Sequence, residues 1–212
     1  MHADTRSTEE LEALRAEADM LAEEAGTACV RHIRRRSRIF SDLAVSDELL
    51  RLIPSGLRPV RSILFDKTED ENWPVPWHQD LTITVRERAD VSGYGPWSMK
   101  DGSPHVQPPL HVLEGMATIR LHLDDTPKEN GALSVIPNSH KVGKLNAGDV
   151  KNYPKDDVVD CACKAGDILI MSPLILHSSK RSVIPNRRRV IHFEYARDED
   201  LDKRLDLSLI HI

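Results

Sequence analysis

Trp77-His78-Gln79-Asp80-Leu81-Thr82-Ile83-Thr84-Val85 lies between Pro76 and the charged Arg86-Glu87-Arg88. Its threonines, isoleucine and valine suit a β-strand, on which successive side chains point to opposite faces. Trp77, Leu81, Ile83 and Val85 then share an apolar face, and His78, Asp80, Thr82 and Thr84 share a polar one. The polar face opens with an imidazole and a carboxylate two residues apart, close enough to hold one cation. A bare His-x-Asp arises often by chance, so its weight depends on what the rest of the chain supplies.

The same texture extends outward from this run. Arg61–Phe65, Ala117–Leu123, Ala132–Ile136, Val158–Cys163, Asp167–Met171, Leu174–Ser178 and Val190–Tyr195 are further short apolar or alternating runs. Turn chemistry separates them: Asn130-Gly131, Pro137-Asn138 and Ala165-Gly166-Asp167. Many short strands without intervening helices predict a mainly β sandwich or jelly roll, not alternating βαβ units. Helices gather at the N-terminus. Ser7-Thr8-Glu9-Glu10 reads as a cap, and Leu11, Leu14, Ala18, Leu21, Ala22 and Ala25 recur at helical spacing, predicting helix over the first 35 or so residues. A second short helix is expected over Ser46–Ile53. The basic run Arg31–Arg38 reads as a solvated helix face balanced by Glu9 to Glu24. These boundaries give a helical lead-in at 1–58, a core at 59–196 and a tail at 197–212. The Gly- and Pro-rich stretch Arg86–Gly115 is long for a loop, and Trp97, Met99 and Val106 give it something to bury, so an ordered lid is expected.

Composition narrows the function classes. The 212 residues suffice for one domain, and 40% hydrophobic with 30% charged is ordinary for a water-soluble globular chain. No run approaches the ~18 apolar residues of a membrane span, and the first residues hold no apolar leader segment. A net charge of −5 argues against a general nucleic-acid binder. Three cysteines predict reduced thiols in a cytoplasmic setting, and Cys161-Ala162-Cys163 with Cys29 makes no four-thiolate zinc set. Ten histidines against nine aromatic residues direct attention to metal ligation.

Two further residues complete a chemical pattern. His177 ends the apolar stretch that follows Gly166-Asp167, and Arg188 opens the strand that continues through Val190-Ile191-His192-Phe193-Glu194-Tyr195. Ile191, Phe193 and Tyr195 form that strand's packed face, while Arg188, His192 and Glu194 look the other way. Two imidazoles and one carboxylate are the ligand set of non-haem iron(II) oxygenases, and zinc hydrolases use it too. The arginine adds a bidentate grip for a carboxylate, as a dicarboxylate co-substrate requires. On Thr118-Ile119-Arg120-Leu121-His122, Arg120 is either a surface ion-pair partner or an anion site in the barrel mouth.

Taken together, Trp77-His78-Gln79-Asp80, Leu121-His122-Leu123-Asp124-Asp125, Glu129-Asn130-Gly131 through Pro137-Asn138-Ser139-His140, Gly166-Asp167, His177 and Arg188 resemble the phytanoyl-CoA dioxygenase-like family. This is a family of iron(II)- and 2-oxoglutarate-dependent oxygenases, and the likeness covers roughly residues 60 to 196. It implies a double-stranded β-helix (a cupin-like jelly roll) with the N-terminal helices packed outside. It implies His78, Asp80 and His177 as iron(II) ligands, Arg188 and Ser179 on the distal carboxylate of 2-oxoglutarate, and Thr84 as another co-substrate contact. Hydroxylation of an unactivated C–H of a small molecule, with O2 consumed and succinate and CO2 released, is the expected reaction. Asp80 argues against halogenation, because family-like halogenases carry a small residue there. Asn138 stands where the family has glycine, and asparagine tolerates the left-handed turn. Arg120, Trp97 and Lys67 are candidate substrate contacts. The alternatives are a cupin-type hydrolase or isomerase that does not use 2-oxoglutarate, and a non-catalytic binding or sensing jelly roll.

Overall fold

The computed structural model describes residues 6–184 and 186–205. Its elements in chain order are α1 (Thr8–Ala25), β1 (Cys29–Arg31), α2 (Ile33–Arg36), α3 (Arg38–Ala44), α4 (Asp47–Leu50), β2 (Leu57–Lys67), β3 (Val75–His78) and β4 (Ile83–Thr84). There follow β5 (Trp97–Lys100), β6 (Ser103–Val106), α5 (Leu110–Gly115), β7 (Ala117–His122), β8 (Leu133–Val135), α6 (Ala147–Asn152), β9 (Val159–Cys161), β10 (Ile168–Met171), β11 (His177–Ser179) and β12 (Arg188–Arg197). The strands make a major sheet in the order β1-β2-β12-β7-β10, a second sheet β3-β11-β8-β9 and a small sheet β4-β6-β5. Every strand pairing in them is antiparallel. The architecture is a jelly roll with helices outside it, as the sequence predicts. No helix among the described residues is long and apolar enough to cross a membrane.

The helices pack on the outer face of the major sheet. Leu14, Ala18 and Leu21 of α1, Phe40 of α3 and Leu49 of α4 share one core with Ile119 and Leu121 of β7 and Ile191, Phe193 and Tyr195 of β12. The Ser7 hydroxyl accepts from Glu10 N while Glu10 reaches back to Ser7 N, the capping box read from the sequence. The helix does not run on to residue 35. Gly26 takes the left-handed conformation (φ 60°) that closes α1, and Cys29–Arg31 instead pairs along the open edge of β2. Nor is the basic run one solvated face: Arg31 pairs with Asp101 at 2.9 Å and Arg34 is buried, while Arg38 stays on the open surface. In Ser46–Ile53 the helix is the single turn α4, capped by the Ser46 hydroxyl.

The expected strand Trp77–Val85 is interrupted. β3 stops at His78 in the second sheet and β4 resumes at Ile83 in the small one. Between them the Gln79 side chain donates to Gly143 O (2.9 Å) and Leu174 O (2.6 Å) and accepts from Leu145 N (2.8 Å), while Asp80 N donates to Pro173 O (2.9 Å). These bonds replace a strand ladder and tie the crossing to two loops, one around Gly143–Leu145 and one around Pro173-Leu174, so Asp80 hangs at a break just past the end of β3. Arg86–Gly115 is ordered, as expected, and contains the β5–β6 hairpin and α5, with Val91, Val106 and Leu113 in an apolar cluster. Of the C-terminal tail, residues 206–212 lie outside the described residues.

Candidate active site

His78 and His177 are cross-strand partners on β3 and β11, with ring centroids 4.1 Å apart. His78 Nδ1 lies 2.8 Å from Pro76 O, and His177 Nδ1 lies 2.9 Å from Ile175 O. A carbonyl oxygen only accepts, so each Nδ1 carries a proton and each Nε2 is turned to the cavity, where it can serve as a metal donor once unprotonated. Asp80 Oδ2 is 3.4 Å from His177 Nε2, and its Oδ1 is 4.0 Å from His78 Nε2. The three donor atoms all lie within 4.8 Å of one another. Ser139 fixes the approach to His177, its hydroxyl donating to Ile136 O (2.7 Å) and accepting from Leu176 N (2.8 Å). Asn138, just before it, has φ 64°, so the turn keeps the left-handed residue that glycine would supply. Burial pushes the Asp80 carboxyl up, but His177 and Arg61 outweigh it and hold the group well below the usual carboxylate range. Two oriented imidazoles and an ionised carboxylate fit a divalent metal of the iron or zinc type, with its other positions left open.

Below the triad runs a chain of charged groups on the inner face of the major sheet. Arg61 of β2 donates to Glu194 Oε1 at 2.7 Å and stands 3.6 Å from Asp80 Oδ1. His192 Nε2 is 3.0 Å from the same Glu194 oxygen, and Arg120 Nη1 is 2.9 Å from His192 Nδ1. A guanidinium only donates, so His192 accepts at Nδ1 and carries its proton on Nε2, toward Glu194. Arg120 also lies over the Phe65 ring, 5.4 Å from its centroid. The surface ion pair that the sequence allowed for Arg120 is therefore excluded, since the residue is 7% exposed and faces the cavity.

A cavity of about 370 Å³ joins the triad to a cationic end. There the Ser179 hydroxyl donates to Gly131 O (2.9 Å) and accepts from Lys67 Nζ (3.3 Å) and Arg188 Nη1 (3.2 Å). Arg188 Nη1 also donates to Gly131 O. Gly131 is required here, because its φ is 68° and a Cβ would stand 2.6 Å from Lys180 O. Burial, Arg188 and Arg120 together push the Lys67 ammonium down to about 7, and burial with Arg120 brings Arg188 down to about 10. Both shifts have one physical origin, cations crowded into a low-dielectric space without counter-charge. Among the described residues lining the cavity, Asp80 is the sole carboxylate.

The structure thus gathers His78, Asp80, His177, Arg188, Ser179, Lys67 and Arg120 around one space. Thr84 and Trp97 are not part of it. The break after His78 ends the alternation that put Thr84 on the ligand face, and its hydroxyl instead approaches His105 Nε2 at 3.5 Å. Trp97 packs on the cluster around Val106, with Arg88 over its ring. Cys161 and Cys163 are buried in an apolar cluster with Leu133 and Leu169, Cys161 as the last residue of β9 and Cys163 beyond it, in an isolated bridge to Thr126. The sequence reading passed over Arg61, although the alternation Arg61-x-Ile63-x-Phe65-x-Lys67 puts both cations on one strand face. It also passed over the hairpin around Asp101-Gly102, a strong turn signal.

A family model described as phytanoyl-CoA dioxygenase (PhyH) matches residues 1–190. A curated relative, the phytanoyl-CoA dioxygenase domain-containing protein 1 homolog of Dictyostelium discoideum, is 30% identical over 33% of this chain and 31% of its own length. The match therefore spans under a third of that relative. Among solved structures, HygX from Streptomyces hygroscopicus with nickel and 2-oxoglutarate bound is 18% identical, with a TM-score of 0.63, over 93% of this chain and 81% of its own. SnoK, a non-haem alpha-ketoglutarate-dependent carbocyclase from nogalamycin biosynthesis, is 19% identical over 91% of this chain and 77% of its own, with a TM-score of 0.68. These two likenesses speak to the fold, and the family model, whose match takes in His78, Asp80, His177 and Arg188, shows that the chain belongs to the phytanoyl-CoA dioxygenase family.

Proposed function

We propose that the chain is an iron(II)- and 2-oxoglutarate-dependent oxygenase that hydroxylates a C–H of a small-molecule substrate. The observation that carries this reading is the pairing, in one cavity, of an oriented His-Asp-His triad with an uncompensated cationic end. His78, Asp80 and His177 would hold the metal, each imidazole kept in its ligating tautomer by a backbone carbonyl. Arg188, Ser179 and Lys67 would take the distal carboxylate of 2-oxoglutarate, supplying the negative charge that this end of the cavity lacks. With O2, iron(II) and 2-oxoglutarate supply the two-electron oxidation, coupled to conversion of the co-substrate to succinate and CO2. The jelly roll contributes position and dryness, since Arg188, Ser179, His177 and Lys67 are each at most 5% exposed. A cupin-type hydrolase would leave that cationic end without a task. Iron- and 2-oxoglutarate-bound forms of HygX agree with the reading.

The test is anaerobic addition of 2-oxoglutarate to iron(II)-loaded protein, followed by its visible absorption band. The wild type should develop the band and, in air, release succinate. His177→Ala should lose both while keeping a cooperative melt. A wild type that shows no band, or a His177→Ala protein that keeps full succinate release, would remove the assignment.

A further inference from the structure

Six cations line the cavity; Arg120 lies against His192, and the other five fall into two groups along β2. Arg61, Ile63, Phe65 and Lys67 alternate onto the cavity face of this strand. Arg61 and Lys67 are six residues apart, roughly 20 Å of extended chain. Lys67 marks the end that holds Ser179 and Arg188, and Arg61 marks the end that holds Asp80. Arg31 and Lys100 belong to the Arg61 end. Arg31 sits on β1 opposite Ile63, and Lys100 is close enough to Arg61, Arg31 and Asp80 for their charges to act on its ammonium.

The first group is spoken for, by the co-substrate's distal carboxylate in the proposed reading. The second is not. Arg61 is balanced by Glu194 and Asp80, and Arg31 by Asp101 at 2.9 Å. Lys100 makes no hydrogen bond or ion pair with any described residue, yet it lines the cavity and is only partly exposed. Its placement is built, not incidental. Asp101 (φ 47°) and Gly102 (φ 72°) form the two-residue turn that closes the β5–β6 hairpin, and the Asp101–Arg31 pair pins that turn to β1. Lys100, the last residue of β5, is thereby held at the rim beyond the metal site. Ile63, Val75 and Leu81 add apolar wall on the way in.

We propose that Lys100 is the anchor for an acidic group on the primary substrate, a carboxylate or phosphate ester carried on an apolar body whose reactive carbon reaches the triad. This rests on the oxygenase reading of the same cavity and adds the substrate class to it. Charge supports it as well: the co-substrate's distal carboxylate is taken up at the Arg188 end and its other end by the metal, so Lys100 still lacks a counter-ion in the loaded site.

The experiment uses the metal-loaded protein held anaerobically, with calorimetry as the readout. 2-Oxoglutarate is titrated first, and then hexanoate, hexyl phosphate, hexanol or hexylamine is added to the saturated protein. Hexanoate or hexyl phosphate should bind roughly ten- to hundredfold more tightly than hexanol, the span expected of one charge-assisted contact, with hexylamine weakest. The better of the two anions identifies the headgroup. Lys100→Met should lose that preference with 2-oxoglutarate affinity unchanged, and Lys100→Arg should keep most of it. Equal binding of the four probes, no binding of any, or a Lys100→Met protein with wild-type preference would overturn the proposal. Failure of the first titration would instead strike the co-substrate reading, so the two are separable.

Discussion

Phe193 and Glu194 are neighbours on β12, and both are fully buried, yet they inhabit different chemistry. Phe193 points outward with Ile191 and Tyr195 into the apolar core beneath α1, α3 and α4. Glu194 points inward with His192 and Arg188, where Arg61 and Arg120 complete a buried ionic lining. Apolar burial stabilises the fold directly, whereas a buried ion pair roughly breaks even against an apolar replacement. The outer face therefore carries the stability, and the inner face trades it for placement of charges around a ligand cavity. Substitution at these two adjacent positions separates the two roles.

Phe193→Ala carries the largest expected effect on stability. A large side chain removed from a packed core costs about 3–5 kcal/mol, to be read as a lowered urea midpoint at unchanged slope. In the protein that remains folded, metal and 2-oxoglutarate affinity should match the wild type. A tenfold loss of metal affinity in this variant would break the division between faces.

Glu194→Gln should show the reverse pattern. The amide keeps the shape and an accepting oxygen but removes the charge that balances Arg61. Arg61 would then draw on Asp80, 3.6 Å away, and compete with the metal for that carboxylate. Metal affinity should fall roughly 10- to 100-fold, the range for groups that orient a ligand. Stability should fall by less than the ~3–5 kcal/mol of an orphaned buried charge, because Asp80 remains as counter-ion. Calorimetric metal titration beside urea unfolding checks both halves, and an unchanged metal affinity would count against Arg61 as a link between Glu194 and Asp80.

The outer face was legible in the sequence and the inner face only in part, for a physical reason. Ile191, Phe193 and Tyr195 announce themselves by alternation, because apolar burial follows residue type. His192 and Glu194 look like a solvent face by the same rule, and only the closing of the jelly roll buries them. His78, Asp80, His177 and Arg188, which the structure brings around one cavity, stand out in the sequence because metal and carboxylate chemistry demands those side chains whatever the backbone does. The continuous strand Trp77–Val85, which would have kept Thr84 beside His78 and Asp80, is broken because Gln79 satisfies three backbone groups of distant loops, long-range bonds that no local pattern encodes. The overextended first helix has a local cause: Gly26 closes it, and the pairing of Cys29–Arg31 with β2 then outweighs the helical propensity of the residues that follow.

The smallest expected effect tests whether the inner face is strained by its own charges. Lys67 is held at about 7 by burial, Arg188 on β12, Arg120 on β7 and Arg181, while among the described residues Ser179 and two backbone carbonyls are its hydrogen-bond partners. Between about pH 7 and its ordinary value of 10.5 the unfolded chain binds this proton and the empty folded protein does not. Linkage then makes the ligand-free protein gain stability as pH rises through that window, and lose the gain as pH falls toward 7. A bound dianion reverses the preference, because it holds Lys67 charged. Binding of 2-oxoglutarate at pH 8 should therefore take up a proton, seen as a calorimetric heat that scales with buffer ionisation enthalpy. Affinity should weaken by less than tenfold per pH unit above 7, the limit for one proton. Lys67→Met should bind more weakly at pH 7 and lose most of the pH dependence, while Phe193→Ala, altered on the other face, should keep it whole. A wild type that binds 2-oxoglutarate without proton uptake would mean that Lys67 stays charged in the empty cavity, and that the cationic end is better solvated than its burial implies.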